Sequence, residues 1–306
     1  MNKTLNWQIG IDEVGRGPVA GPVCVGIVAL PMSVGIYTNY YLENKFDKIV
    51  DKCGKVPLVR GQAEGLGVVK VLGVASDAHQ SNILPDTLGP KLRDSKKTTA
   101  KFRYQVFSKV DELSAEYLIL QASPELIDSF GIAVCIRHLM LVSLIGLSIS
   151  NSELINDSQI FLDGTLKFQD EYNLELLNSI LDENKEEFRR LNLDLKLLEK
   201  NLKPDKILDF IKNISGENNS SENIKANPRI IMENFADDKY FAVALASNLA
   251  KYFRDEIMIK EGLKYPNYFL DKNMGYGTAK HMLAIKENGL KMIHRKSFLK
   301  KYLPEN

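Results

Sequence analysis

Hydrophobic and polar positions fall into blocks with two different periods. Trp7–Asp12 is a short apolar run, and Pro22–Leu30 (PVCVGIVAL) is a second, rich in Val and Ile; both read as buried strands. The Gly15–Gly21 connection between them suits an antiparallel pair. Glu116–Ala122 and Gln159–Asp163, the latter closed by Gly164, read as two more strands. Ser123-Pro124-Glu125 signals a helix start, and helix is expected, with breaks, to about Ile149. Asp237–Glu261 is the clearest helix, with Phe241, Ala244, Leu245, Leu249 and Phe253 at helical spacing. Residues 278–289 predict a last helix closed by Gly289. Between these blocks, residues 33–88 are mixed, and residues 89–110 begin as loop and become helix. Residues 169–226 are charged and helix-prone, and their Gly-Glu-Asn-Asn-Ser-Ser-Glu-Asn run predicts a mobile loop. No internal repeat is present. The pattern predicts a chain of both strands and helices, with the first two strands antiparallel.

Composition changes this picture little. A chain of 306 residues can bury a substantial core as one large domain or two ordinary ones. The net charge of +1 gives no global basic excess, but the charge is uneven. Residues 91–103 hold six Lys/Arg against one Asp, and residues 271–306 hold eight against three acidic groups. Either patch serves equally as a phosphate-binding surface or as a solvated helix face. Cys24, Cys53 and Cys135 form no paired framework, and Cys24 and Cys135 lie in apolar contexts as expected of core thiols. With no basic-then-apolar leader at the start, a cytoplasmic protein is expected. The most apolar segment, Gly131–Ser150, contains Arg137 and His138 and predicts a buried core helix rather than a membrane span.

The chemistry concentrates in residues 11–22, Ile-Asp-Glu-Val-Gly-Arg-Gly-Pro-Val-Ala-Gly-Pro. Alone, Asp12-Glu13 could be a surface pair before a turn. Beside a flexible backbone and a fixed positive charge, it suits a phosphodiester. The carboxylates offer oxygen ligands to a hard metal ion, and the amides and guanidinium reach phosphate and sugar. The string closely resembles the signature of the ribonuclease HII family. Four further stretches resemble that family in the same order: Leu92–Lys97 (LRDSKK), Phe161–Gly164 (FLDG), Ala236–Asp255, and the group Gly275–Thr278, His281 and His294–Phe298. Ribonuclease HIII is similar at the Asp-Glu pair but lacks Gly-Arg-Gly and carries an extra N-terminal domain, for which the motif's position near residue 10 leaves no room. Two departures stand out. The segments at 33–88 and 169–226 are longer than is usual in the family, and its Lys or His-Lys before Ala-Asp is Asn234-Phe235 here.

The resemblance implies an α/β, ribonuclease-H-like core over residues 1–255, with insertions at about 33–88 and 169–226, built on a mixed sheet with antiparallel early strands and helices on both faces, and a C-terminal helical substrate-binding lobe over 256–306. It implies endonucleolytic hydrolysis of RNA in RNA–DNA hybrids and of single ribonucleotides in duplex DNA, cut on the 5′ side of the ribonucleotide. Such hydrolysis needs an activated water and a neutralised leaving oxygen, which two divalent ions about 3.5–4 Å apart supply. Mn²⁺ or Mg²⁺ takes carboxylates; the three Cys and four His, scattered along the chain, argue against zinc. The resemblance places Asp12, Glu13, Asp163 and Asp237 at the metal site. Ideal strand alternation points Asp12 and Glu13 to opposite faces, so either the chain twists at Val14-Gly15 or Glu13 lies at the rim. Asp237 could instead be only a helix N-cap. Asp238 and Asp255 are the other candidates, but Asp255 lies about 27 Å along the predicted helix from Asp237 and reads as a surface or ion-pair residue.

Selecting ribose requires contact with the 2′-hydroxyl. The resemblance gives this role to Gly15, Arg16 and Gly17 together with Tyr276, which could otherwise simply pack in its Gly-Tyr-Gly turn. Lys96 is a phosphate-contact candidate or an exposed loop lysine. Arg295 either binds the nucleic-acid backbone or pairs with a core carboxylate, and His281 reads as structural. The expected partners are RNA–DNA hybrid and ribonucleotide-containing duplex DNA, with no membrane and a monomeric state. The terminal Phe-Leu-Lys-Lys-Tyr-Leu-Pro-Glu-Asn lacks the Gln and paired aromatics of a sliding-clamp-binding tail. Two alternatives stand beside this reading: a hybrid-only nuclease of HIII-like specificity, and a catalytically silent nucleic-acid binder. The retained carboxylates argue against the binder, which gains nothing from negative charge facing phosphates.

Overall fold

A computed structural model of the chain describes residues 7–31, 98–113, 115–151, 154–155, 158–164, 172–190, 192–215 and 229–302. Cys53, the stretch 33–88, Lys96 and the 216–223 run therefore lie outside the described residues. The strands are β1 (Trp7–Val14), β2 (Val23–Pro31), β3 (Glu116–Ala122), β4 (Ser158–Asp163) and β5 (Arg229–Glu233). The helices are α1 (Ala100–Lys109), α2 (Pro124–Phe130), α3 (Ile132–Ser150), α4 (Leu174–Glu183), α5 (Lys185–Arg190), α6 (Leu195–Asn201), α7 (Pro204–Ser215), α8 (Ala236–Lys239), α9 (Phe241–Lys264), α10 (Leu270–Asn273), α11 (Ala279–Asn288) and α12 (Lys296–Leu299).

The sheet order is β3-β2-β1-β4-β5. The first three strands are antiparallel neighbours, and β4 and β5 continue parallel to β1. β5 was not anticipated from the sequence; only Ile230 and Ile231 after Pro228 hint at it. One face carries α3, most of it buried, as expected for Gly131–Ser150. Its residues share a core with Ile9, Ile11, Val25 and Ile27. Helices α4 to α7, from the charged segment at 169–226, pack on the same core through Leu176, Ile180, Phe188, Leu198 and Ile207. The His138 ring joins them to α3: Nδ1 bonds Val134 O at 2.8 Å and Nε2 accepts from Asn173 N at 3.0 Å. Cys24 and Cys135 are buried, as expected of core thiols.

The opposite face is covered by α9. It lies so close that a Cβ on Gly10 would sit 2.1 Å from the Ala242 carbonyl carbon, and one on Gly26 2.6 Å from Ala246 O. Small residues along the helix, Ala242, Ala244, Ala246 and Ala250, complete the contact. The helix expected over Asp237–Glu261 is in fact two, because Tyr240 leaves helical geometry (φ −117°, ψ 121°). The cause is tertiary. Its ring stacks on Phe161 with centroids 3.9 Å apart, and its hydroxyl donates to Glu233 Oε2 at 2.9 Å. The second helix then runs unbroken to Lys264.

The C-terminal elements surround a separate small cluster of Tyr268, Leu270, Ala284, Ile285, Ile293 and Leu299, joined by Met258 of α9 and by Ala20 from the loop between β1 and β2. Helix α11 starts on Thr278, whose side chain accepts from His281 N, and ends at Gly289, as expected. Asp128 of α2 caps α12 by accepting from the amides of Lys296 and Ser297 at 2.8 and 2.9 Å.

Asp255 is the buried centre of an ion-pair network. Arg103 of α1 donates to it at 2.8 Å and Lys251 pairs with its other oxygen, with all three side chains at most 14% exposed. Asp255→Asn would leave two buried cations without their counter-charge. The expected loss of stability is about 3–5 kcal/mol, measured by urea denaturation. A loss below about 1 kcal/mol, the range of exposed pairs, would show that solvent already screens the network.

Candidate active site

Asp12 and Asp163 lie side by side at one end of β1 and β4, with Asp237 and Glu13 close enough to act on Asp12. Asp12 stands opposite Gly26 in the β1–β2 register, on the face covered by α9. Ile11 pairs with Leu162 in the parallel β1–β4 register, so Asp12 and Asp163 follow side by side. Asp163 shares its face with Phe161, which packs against Ala236 and Val243. Its Oδ1 accepts from Ala236 N at 3.0 Å, fixing the start of α8 and with it Asp237 in the first turn. Phe235, not Asp237, occupies the N-cap position, so capping does not account for Asp237. β1 continues regularly to Val14, so Glu13 projects to the opposite face from Asp12 and lies at the rim.

The charges register this convergence. Burial pushes the Asp12 carboxyl well above the ordinary carboxylate range, and Glu13, Asp163 and Asp237 add to the rise against a hydrogen bond from Ser247 that lowers it. Burial also raises Glu13. Arg16 opposes that shift, and Asp163 adds to it. The carboxylates are held by protein partners: Asp12 Oδ1 accepts from Glu13 N at 2.8 Å, and Glu13 Oε1 from Arg16 Nη1 at 3.0 Å. Among the described residues no three His, Cys, Asp or Glu side chains are already gathered to hold a metal ion. The donor set is nevertheless all carboxylate oxygen, which suits hard divalent cations. Such an ion would relieve the mutual repulsion that burial intensifies.

The loop after β1 comes next in space. Gly15 has φ +96°, a left-handed conformation that glycine adopts freely, and a Cβ there would strike Arg254 Nε at 2.4 Å. Arg16 is exposed. Gly17 lies against the edge of Tyr276, whose Cε1 is 3.7 Å from an ideal Gly17 Cβ. Tyr276 is 45% exposed, so its ring is available at the surface beside Gly-Arg-Gly. The Tyr276 turn is fastened to the loop: Val19 N and Ala20 N donate to Gly275 O at 2.9 and 3.1 Å. Gly275 has φ +81°, and a Cβ there would meet Ala20 O at 2.2 Å.

Arg295 corrects an expectation. It is 0% exposed and cannot touch a duplex. Nor does it pair with a core carboxylate: its guanidinium donates to Gly21 O, Pro18 O and Arg16 O at 2.8, 2.9 and 3.2 Å. Burial sets it beneath the loop between β1 and β2, whose carbonyls take its hydrogen bonds. Asp255, expected at the surface or in an ion pair, is in the buried network. Two site residues had no role assigned from the sequence, Ser247 beside Asp12 and Arg254 beneath the loop. Arg254 was legible as a charge four residues from both Ala250 and Met258, on the buried stripe of α9.

His281 is structural, as expected. Its Nδ1 bonds Tyr276 O at 2.9 Å, and its Nε2 faces His294 Nε2 at 3.2 Å. His294 Nδ1 accepts from Lys291 N at 2.9 Å, so one proton bridges two neutral rings.

Comparison with known proteins places these features in a family setting. The family profile described as Ribonuclease HII matches residues 60–301. That match begins beyond β1 and β2, so the placement of Asp12 and Glu13 rests on the motif and the strand geometry. The chain is 29% identical over 294 residues to Ribonuclease HII of Prochlorococcus marinus (strain MIT 9215), covering 96% of this chain and 90% of that one. It is 54% identical over 67 residues to Ribonuclease HII of Clostridium novyi (strain NT), covering 22% of this chain and 25% of that one. A solved structure, the ribonuclease H2 from Pyrococcus horikoshii OT3, aligns over 96% of each chain at 18% identity and a TM-score of 0.46.

The histidine pair gives the Tyr276 turn a defined acid sensitivity. Burial lowers both rings, and the neighbouring His281 helps to pull His294 down to about 4. These folded-state values lie below the unfolded value of about 6.5. The stability they contribute is therefore whole above about pH 6.5 and lost as pH falls toward about 4. The unfolding midpoint should fall over that window, and His294→Gln should flatten part of the fall. Parallel pH profiles of wild type and variant would show that the pair does not titrate on unfolding.

Proposed function

The chain belongs to the ribonuclease HII family and is a type 2 ribonuclease H endonuclease, and from that premise we propose that it is a metal-dependent enzyme that hydrolyses RNA in RNA–DNA hybrids and incises duplex DNA on the 5′ side of single embedded ribonucleotides, leaving 3′-hydroxyl and 5′-phosphate ends. One observation carries this reading. Glu13, Asp163 and Asp237 all act on the ionisation of Asp12 at the end of β1, and Asp163 acts on that of Glu13. Two residues beyond Glu13 begins a glycine-rich loop faced by a half-exposed tyrosine. A carboxylate cluster beside a sugar-sized, hydrogen-bonding surface suits a nuclease that must recognise a ribose.

Asp12, Glu13, Asp163 and Asp237 would hold Mn²⁺ or Mg²⁺, which when bound supplies an activated water and neutralises the leaving oxygen. The protein's own groups do the rest. Ser247 steadies Asp12, and Ala236 N steadies Asp163. Arg16, now on Glu13, has an exposed guanidinium within reach of a phosphate. Gly15 and Gly17 allow the backbone to come close to the sugar, and Tyr276 offers a hydroxyl and a ring to the same nucleotide. Lys96, outside the described residues, remains a proposed phosphate contact.

The deciding experiment is a metal-supplemented cleavage assay on three duplexes: one with a single ribonucleotide, a continuous RNA–DNA hybrid, and all-DNA. Cleavage of the first two alone supports the proposal. Cleavage of the hybrid alone would favour a hybrid-only nuclease, and binding without cleavage a silent binder.

Asp12→Asn and Asp163→Asn should each nearly abolish cleavage. Outer partners of metal ligands already cost about 10–100-fold, so a direct ligand should cost more. The metal-free unfolding midpoint of Asp12→Asn should equal or exceed that of wild type, because a crowded buried charge is removed. Full activity of either variant at limiting metal would refute the ligand assignment. Tyr276→Phe should impair incision at a lone ribonucleotide by about fivefold, the equivalent of one hydrogen bond of about 1 kcal/mol. Cleavage of a continuous hybrid, with neighbouring riboses and A-like geometry as further recognition, should suffer less. Equal losses on both substrates would mean that Tyr276 only packs.

A further inference from the structure

Two guanidiniums lie beneath the loop between β1 and β2. Arg254 of α9 is 1% exposed and Arg295, at the start of α12, is 0% exposed. Among the described residues neither forms an ion pair with a carboxylate. Their hydrogen bonds go to backbone carbonyls instead, and Arg295 Nη2 has no partner among the described residues. Arg254 donates to Pro22 O at 3.0 Å, Ala20 O at 3.2 Å and Met274 O at 3.0 Å. Arg295 donates to Gly21 O at 2.8 Å, Pro18 O at 2.9 Å and Arg16 O at 3.2 Å. Five of these six carbonyls belong to the Gly-Arg-Gly-Pro-Val-Ala-Gly-Pro loop. The sixth is two residues before Tyr276.

Burying two like charges without counter-ions is a poor way to stabilise a fold, since apolar side chains of similar volume would serve better. What the pair provides is direction. A planar trans peptide points its C=O and the following N–H in opposite directions. With the Arg16 carbonyl drawn inward by Arg295, the Gly17 N–H is turned away from that guanidinium, and Tyr276 flanks the same residue. Among the described residues no protein acceptor takes that N–H. Arg254 meanwhile spans both halves of the surface, holding Ala20 and Pro22 on one side and Met274 on the other.

We infer that Arg254 and Arg295 are positioning residues for ribose recognition: their guanidiniums hold the Gly15–Pro22 loop with its amide edge toward the substrate and fix its spacing from Tyr276. Lysine cannot substitute, because one ammonium point charge does not reach three separated carbonyls as a planar fork does. The inference rests on the lone-ribonucleotide activity proposed above, and its test separates the two.

Full-length wild type, Arg254→Lys and Arg295→Lys would be compared for kcat and KM on the single-ribonucleotide duplex and on the continuous hybrid. Each variant should lose at least tenfold more kcat/KM on the lone ribonucleotide than on the hybrid. Amide hydrogen exchange on the metal-free proteins should show faster exchange confined to residues 15–22 and 274–277. In wild type, the amides of Val19, Ala20 and Gly21 should exchange as slowly as those of β1, a measurement that needs no variant. Equal losses on both substrates, unchanged exchange in the two segments, or loop-like exchange of those three wild-type amides would overturn the inference. Should wild type cut the hybrid and spare the lone ribonucleotide, the proposed activity fails, while the exchange measurements still decide whether the loop is clamped.

Discussion

Everything at the site takes its position from the close contact of α9 with β1 and β2. Gly10 and Gly26 leave no room for a side chain, so the helix backbone rests on the sheet itself. Once Ala242 and Ala246 are seated there, the rest of the helix is in register. Ser247 falls beside Asp12. Asn248 accepts from Thr98 at 2.9 Å, next to the start of α1. Arg254 arrives under the β1–β2 loop, Asp255 reaches Arg103, and Met258 enters the C-terminal cluster. One helix thus connects the carboxylates, the β1–β2 loop and the C-terminal cluster beside Tyr276.

The same helix shows two opposite uses of buried charge. Around Asp255, opposite charges neutralise one another and tie α1 to α9. At Asp12 like charges are crowded, and beneath the loop two cations take carbonyl dipoles rather than carboxylates as their hydrogen-bond partners. Those two arrangements cost stability that apolar side chains would not. Their common feature is that each borders the surface where a nucleotide would lie. Perturbed charges gathered around one cleft are a functional signature for that reason, and the large core against α3 supplies the stability that offsets them.

How much of this was legible in the sequence follows from how local each feature is. β1 to β4 are built on short, largely apolar runs, and their approximate limits could be read directly. β5 is a five-residue edge strand whose pairing with β4 is non-local, so little beyond Ile230 and Ile231 announces it in the chain. The interruption at Tyr240 is invisible because the residue tolerates helix well; only Phe161 and Glu233, distant in space until the chain folds, pull it out. The carboxylates were found because Asp12-Glu13 and Asp163-Gly164 end apolar runs in a recognisable string. Arg295 was expected either on the nucleic-acid backbone or on a core carboxylate, and the partners it has instead are carbonyls of a loop nearly the length of the chain away in sequence, which nothing local announces.

The β1–β2 loop belongs to both parts of the molecule. Its ends are fixed in the sheet, yet Ala20 lies in the C-terminal apolar cluster and bridges to His294, Gly21 N donates to Ile293 O, and Arg295 N donates to Val19 O. Helix α9 also passes unbroken from sheet to lobe. The surface that would read the sugar is therefore mechanically continuous with the strand that bears the carboxylates. Glu13 and Gly15 are two residues apart, at most about 7 Å of extended chain. On the proposed function, that short tether is what links the place of hydrolysis to the ribose: a sugar seated against Gly15, Gly17 and Tyr276 brings its own phosphodiester, rather than one several nucleotides away, up to Asp12 and Asp163.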